Sequence, residues 1–422
     1  MTKLERSLSL WELTFMSVGI ILGAGIYVVI GEAAGLSGNS LWLSFIIAAT
    51  VATLSALSYA ELVSRFPKAG AEYVYVENSF GKRFAWLVGW LIIAGSVIGS
   101  ATVALGFSRY FSAIFDTPIF IIAVIMLLII SIILMIGVQE TASLTIIFMA
   151  IEAIGLIIVI LIGIPYLGTI DYFEAARGLK GVIEAGVLIF FGYIGFEGIT
   201  RLAEETENPE KNIPKAIIYS LVITTIIYIL VGITAISVIP WQELSQAKAP
   251  LALVAERVFG ANSFLILSII ALFSTFNTAL VMLLSGSRLI YGIAERNALP
   301  SIFKSVLKKF KTPWASIIVI VIAAIIFLFL EDLKTIANLT SFTIFSVFIA
   351  INASVIYYRY RKPVKNGFKV PFSIGRFPVI PFLGIVSSVF MIANLSIEVL
   401  ILGIILIFIG VVIDLILDIK YE

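Results

Sequence analysis

Long apolar stretches separated by short polar punctuation run the whole length of the chain. A membrane-crossing helix needs about 20 mostly apolar residues. Twelve stretches qualify: 11–35, 40–64, 84–111, 119–138, 144–167, 184–203, 215–239, 262–293, 315–330, 335–358, 378–396 and 398–418. The pattern predicts an all-α integral membrane protein with twelve transmembrane helices. Only a short turn at Asn394–Glu398 parts the last two. The opening MTKLERSLSLWELTF is polar, and the apolar stretch behind it continues to about Ile30. A cleaved leader has a shorter apolar core and a small-residue cleavage site, so this stretch is read as the first span. No linker sets off a soluble domain, and the chain is treated as one transmembrane domain over 1–422. The long polar connections predict two short helices, one in 65–83 packed on the bundle and one in 240–261 lying on the membrane surface. The segment 168–183 is expected to be a loop.

Composition agrees with the pattern. Hydrophobic residues make up 61% and charged residues 13%, against about 45–50% and about 25% in soluble domains. A mean hydropathy of +1.13 means that most of the surface faces lipid. Net charge is only +2, but its distribution orients the chain. Cytoplasmic loops carry the excess of Lys and Arg. With a cytoplasmic N-terminus, 22 of the 28 Lys and Arg fall on that side. Arg109, Arg177, Lys180, Lys248, Arg257 and Lys334 fall on the other. A wrong span count would scramble this asymmetry, so both termini are expected in the cytoplasm of a multi-pass plasma-membrane protein.

Two spans are interrupted by glycine at matching places, five spans apart. Span 1 reads GIILGAGIYVV at 19–29, and span 6 reads IFFGYIGFEGI at 189–199. Glycine lets the chain leave helical dihedrals. The backbone groups so freed are costly in lipid and have to line a cavity or meet a ligand. Half-helix N-termini attract a carboxylate, and freed carbonyls attract an ammonium or a metal cation. A zwitterionic amino acid fits that pairing. The plainer reading is close helix packing, because Gly19/Gly23 and Gly95/Gly99 have the spacing of small residues at helix crossings.

At these residues the chain resembles the amino acid–polyamine–organocation carriers. GIILGAGIYVV is similar to that family's break in span 1. YAELVSRFPKAGAEYVYV at 59–76 is similar to the signature after span 2, and IFFGYIGFEGI followed by EETENPEKNIPKAI at 204–217 to span 6 and its loop. SRLIYGIAERNALP at 287–300 and YYRYRKP at 357–363 match the ends of spans 8 and 10. The resemblance implies the leucine-transporter fold, an inverted five-plus-five repeat (about 11–167 and 184–358) with two discontinuous helices and two extra helices (about 378–418). It implies secondary active transport of amino acids by alternating access, as symport or exchange. A carrier or exchanger of polyamines or other organic cations is the alternative. By the same resemblance the substrate carboxylate sits on the N–H groups of Gly23, Ala24 and Gly25. Its amino group meets carbonyls around Ile26, Phe191 and Gly195, with Phe191 at the place of a gating aromatic residue. Phe196 stands beside them in the expected binding set.

Ionisable residues at bilayer depth are costly and mark function by default. Glu152 lies eight residues into span 5, about 12 Å deep by helix rise. Several proton-coupled relatives carry a lysine at the matching position, so the sign is reversed here. Glu152 is suited to shuttle a proton or to hold a cation such as sodium; the plainer reading is a protonated Glu bonded to a neighbouring helix. Glu197 follows the span 6 break and serves either structure or a substrate contact. Ser274, Thr275, Asn277 and Thr278 cluster in otherwise apolar span 8. Asn277 is a candidate to line the substrate site, and the three hydroxyls to support ion coupling; bonding across helices explains them equally. Glu61, Arg109, Arg201 and Arg288 lie near span ends, where snorkelling accounts for them. Asp414 and Asp418 are read as interfacial.

Other functions lack their residues. The chain has no Cys and no His, which leaves an intramembrane enzyme without its usual nucleophile, base or metal ligands. No Gly-rich run ends in Gly-Lys-Ser/Thr, so ATP drive through a P-loop is not supported. No repeated filter marks a channel. No cofactor, metal or nucleic-acid partner is expected; the expected partners are an amino acid, a coupling proton or sodium ion, and membrane lipid.

Overall fold

A computed structural model describes residues 8–67, 71–137, 139–203, 205–295, 299–361 and 367–416. Lys3, Arg6, Lys68, Arg296, Lys362, Lys365, Lys420 and Asp418, used above for orientation or interfacial placement, lie outside the described residues. The architecture is all-helical apart from one two-residue hairpin, in which Ser373–Ile374 pairs antiparallel with Phe377–Pro378.

Among the described residues, nine segments are long and apolar enough to cross a membrane. The first, Leu10–Arg65, holds two helices, α1 (Leu10–Ser37) and α2 (Leu41–Arg65). A short α3 (Ala71–Phe80) follows, then α4 (Lys82–Phe115), α5 (Ile119–Ile136) and α6 (Gln139–Gly163). The fifth such segment is α7 (Gly178–Ile189) with the irregular turns behind it. Next come α8 (Pro209–Val238), the short α9 (Trp241–Gln246) and α10 (Pro250–Phe259), and α11 (Ala261–Glu295). The last are α12 (Trp314–Leu328), α13 (Leu333–Arg361), α14 (Val379–Ala393) and α15 (Ile397–Ile416). α12 and α14 have 15 residues each, about 22 Å by helix rise and shorter than a straight crossing needs.

α1 starts at a capping box. Ser9 accepts from the Glu12 N–H at 3.4 Å, and the Glu12 carboxylate accepts from the Ser9 N–H at 2.8 Å. That pairing satisfies two orphan donors at the helix start. The most apolar window of α1–α2 is 83% buried, against 33% for α5 and 22% for α15. α1 therefore runs through the centre of the bundle, packed by α7, α8 and α11, while α15 lies at the rim. Apolar sequence alone does not separate these positions, because lipid and core are equally apolar. α15 is held to α4 by two indole N–H groups, Trp86 to the Gly410 carbonyl at 2.9 Å and Trp90 to that of Leu406 at 2.8 Å.

Three expectations need correction. The segment 168–183 is not loop throughout, because α7 already begins at Gly178. The segment 240–261 forms two helices, and they dock on protein. Leu251, Ala252, Val254 and Ala255 of α10 are buried, since α11 offers that apolar face a partner. Snorkelling does not describe Glu61, which is 1% exposed. Arg359 donates to both its oxygens at 2.8 and 2.6 Å, the Val370 N–H donates at 2.9 Å, and Arg65 stands at 3.5 Å. A buried carboxylate is tolerated when its lone pairs are satisfied this fully. The cluster ties α2 to α13 and to the strand-like segment behind it. The predicted helix in 65–83 is α3, packed on α4 and α13.

Candidate functional site

Both glycine-rich spans are broken. α1 leaves helical dihedrals at Gly23 (φ 0°, ψ −166°) and resumes at once. α7 stops at Ile189, and the chain passes through a tight turn at Phe190–Tyr193 and an extended Ile194 (ψ 130°). Gly195 follows at φ 129°, a left-handed region that favours glycine. A second tight turn runs over Phe196–Leu202. The two breaks touch. A methyl group built on Gly25 would collide with the Gly192 backbone, and one on Gly195 would meet Ile20 at 2.7 Å. Glycine at 25 is what lets the two chains come so near, since a methyl group on Gly192 would make only ordinary contacts of 3.5 Å or more.

The freed backbone groups are taken up by side chains from other helices. The Ala24 N–H donates to Thr278 Oγ1 at 2.8 Å, which ties the kink to α11. The Tyr228 hydroxyl, on α8, lies 2.6 Å from the Ile21 carbonyl, 3.2 Å from that of Leu22 and 2.9 Å from that of Gly192. One hydroxyl proton is thus shared among carbonyls of both breaks. In span 6 the bonds are local: the Gly195 N–H donates to Glu197 Oε2 at 3.0 Å, and Thr200 Oγ1 to the Glu197 carbonyl at 2.6 Å.

Glu152 sits near the middle of α6 and is fully buried. Ser274 Oγ donates to its Oε2 at 2.9 Å, and Oε1 has no hydrogen-bond partner among the described residues. The Tyr27 hydroxyl donates to the Glu152 backbone carbonyl at 2.8 Å. Glu152 is therefore linked to α11 through its carboxylate and to α1 through its backbone. A buried carboxyl with one free oxygen can take a proton or add an oxygen ligand to a cation, and charge alone does not choose between them.

The candidate residues do not share one surface. Gly23, Ala24 and Gly25 meet the Gly192–Gly195 break, and Thr278 joins them. Ser274 joins Glu152. Thr275 spends its hydroxyl proton on its own helix, at the Ala271 carbonyl. Asn277 is buried, and its Oδ1 has no partner among the described residues. Ile26 and Phe191 are buried. Phe196 packs edge-on against Tyr59, with ring centroids 5.8 Å apart, and against Phe348. Tyr228 and Tyr27 escaped the sequence reading. Their only signal is a phenol inside an apolar span, which seeks a hydrogen-bond acceptor when buried.

Comparison with known proteins gives the family. The amino acid permease family matches residues 8–413. The chain is 29% identical to the branched-chain amino acid permease BcaP of Bacillus subtilis (strain 168), over 93% of this chain and 89% of that protein. It is 29% identical to the methylthioribose transporter of the same organism, over 90% and 86%. It is also 29% identical to the vacuolar cationic amino acid transporter 4 of Arabidopsis thaliana, over 86% of this chain and 64% of that protein. These relatives are carriers and not enzymes. With two glycine-broken segments meeting inside a multi-pass helical bundle, and a match over nearly its whole length, the chain belongs to the amino acid permease family.

Proposed function

We propose that the protein is a secondary carrier that moves apolar amino acids across the plasma membrane by alternating access. The observation that carries this reading is the contact of the two breaks at Gly25 and Gly192. Around it, the Ala24 N–H of α1 donates to Thr278, and carbonyls of both segments gather at the Tyr228 hydroxyl. N–H groups suit a substrate carboxylate and carbonyls suit its ammonium. Ile20, Ile26 and Phe191, beside the breaks, favour an apolar side chain. In this reading the helices make twelve crossings as an inverted repeat, 11–167 and 184–358, with 378–418 added. The whole chain forms one domain with both termini cytoplasmic. Glu152 couples a proton or a sodium ion to uptake.

The test is counterflow in proteoliposomes. Vesicles preloaded with unlabelled leucine should take up labelled leucine above equilibrium, saturably. Linear uptake without counterflow would mean a channel. A second reading, carriage of polyamines or other organic cations, is favoured by the cluster of carbonyls at Tyr228. A competition panel separates the two, since inhibition by putrescine and not by leucine would support it.

A further inference from the structure

On the face that carries α9 and α10, an ion pair joins the second half of α1 to α4. Arg109 Nη1 donates to Glu32 Oε1 at 2.9 Å, with the side chains 28% and 31% exposed. The pair lines a small, partly open cavity of about 10 Å³, together with Tyr27, Tyr110, Ala247, Lys248 and Pro250. That volume suits one water, so an amino acid fits only if the lining, the ion pair included, moves. We propose that Glu32–Arg109, with Lys248, is an outer clasp that a zwitterionic amino acid opens by exchanging partners with it, creating a waiting site ahead of the broken helices.

Charge and position support the exchange. A zwitterion carries an ammonium and a carboxylate on neighbouring atoms, the complement of a Glu–Arg pair. The ammonium takes Glu32, and the carboxylate takes Arg109 together with Lys248. Lys248 is loosely held, 3.3 Å from Ser112 Oγ and 3.9 Å from Asp116 Oδ1. An ion pair exposed to about a third is weak enough to exchange. A molecule with one charge satisfies one partner and strands the other, so it leaves the clasp closed. The clasp also reaches inward. Tyr110 donates to the Tyr27 carbonyl at 3.2 Å, and Tyr27 donates to the Glu152 carbonyl at 2.8 Å. Opening it removes the charged tie between α1 and α4 and leaves the Tyr110–Tyr27 bond and the packing of Val28 on Gly106.

The absence of native cysteine allows a direct test. Ala247→Cys places a thiol in the cavity wall, and its rate of labelling by an impermeant maleimide is followed on purified protein in nanodiscs. Leucine should speed labelling several-fold, whereas isopentylamine and 4-methylpentanoate should not. Arg109→Gln should label at the fast rate without leucine. With Gly25→Val added, the acceleration should persist, because the clasp lies outside the crossing of the breaks. An unchanged or slower rate with leucine overturns the proposal, as does equal acceleration by the amine or the acid, or dependence on Gly25. Where Gly25→Val fails to fold, the analogues and Arg109→Gln still decide. The inference rests on the carrier reading. Leucine counterflow in the Ala247→Cys protein, with no change in labelling, sinks this inference alone; loss of counterflow for every amino acid in the unaltered protein sinks the carrier reading.

Discussion

The two broken segments solve the same problem in different ways. α1 departs from helix at one glycine, and its freed groups are caught by distant side chains, Thr278 on α11 and Tyr228 on α8. Span 6 gives up regular α-helix from Phe190 to Leu202 and caps itself with Glu197 and Thr200. The α1 break is therefore a tertiary product that depends on its neighbours, whereas the span 6 break is largely written into its own residues. The difference locates the stiff and the yielding side of the site. α1 can change only if α8 or α11 lets go, while span 6 can rearrange locally. They share the Tyr228 hydroxyl, which reaches carbonyls of both, and they touch at one point, Gly25 on Gly192.

That shared point is where the comparison breaks most severely. Gly25→Val should force the two segments apart by more than an ångström, and a misplacement of that size costs about 100-fold in rate. Initial uptake in proteoliposomes measures it. Near-normal uptake would show that the two breaks act separately. Next comes Glu152→Gln, which should abolish gradient-driven accumulation of leucine and leave leucine–leucine exchange intact. Full accumulation in that variant would assign the carboxyl a packing role. Tyr228→Phe removes the single proton shared by carbonyls of both breaks. A net loss of about 1–1.4 kcal/mol for such a bond predicts roughly a five- to tenfold fall in kcat/KM. Thr278→Val touches only α1, and loss of one neutral bond near the lower end of the range, about 0.5 kcal/mol, predicts roughly a twofold fall in kcat/KM. An effect equal to that of Tyr228→Phe would erase the distinction between a shared and a one-sided tie. Gly198→Ala should have the least effect. Nothing lies within 4 Å of the added carbon, so uptake and thermal stability should stay near those of the unaltered protein.

Much of the fold was legible because membrane helices announce themselves. A bilayer demands long apolar runs, and those runs stand out without any partner. The kinks at Gly23 and Gly195 were legible for a related reason, since glycine is the residue that lets a chain leave helix inside lipid. Glu152 was marked by the cost of placing a carboxyl in such a stretch. Other features left no trace. The docking of α10 on α11 was read as lying on the membrane, because an amphipathic helix looks the same whether its apolar face meets lipid or protein. Glu61 was read as snorkelling, because its partners Arg359 and Val370 stand about 300 residues away along the chain and no local pattern names them. Tyr228 carries no local sign of the carbonyls it gathers.

The sequence by itself determined that this is a multi-pass membrane protein, where its long apolar stretches lie, and where two of them break. Hydropathy and glycine act locally, and a local rule can be read from a string. Tertiary structure alone decided that the breaks touch, which hydroxyls satisfy the groups they expose, and which helices lie at the centre or at the rim. Those outcomes depend on contacts between segments hundreds of residues apart, and in lipid the apolar pattern that drives soluble folding no longer distinguishes an inner face from an outer one.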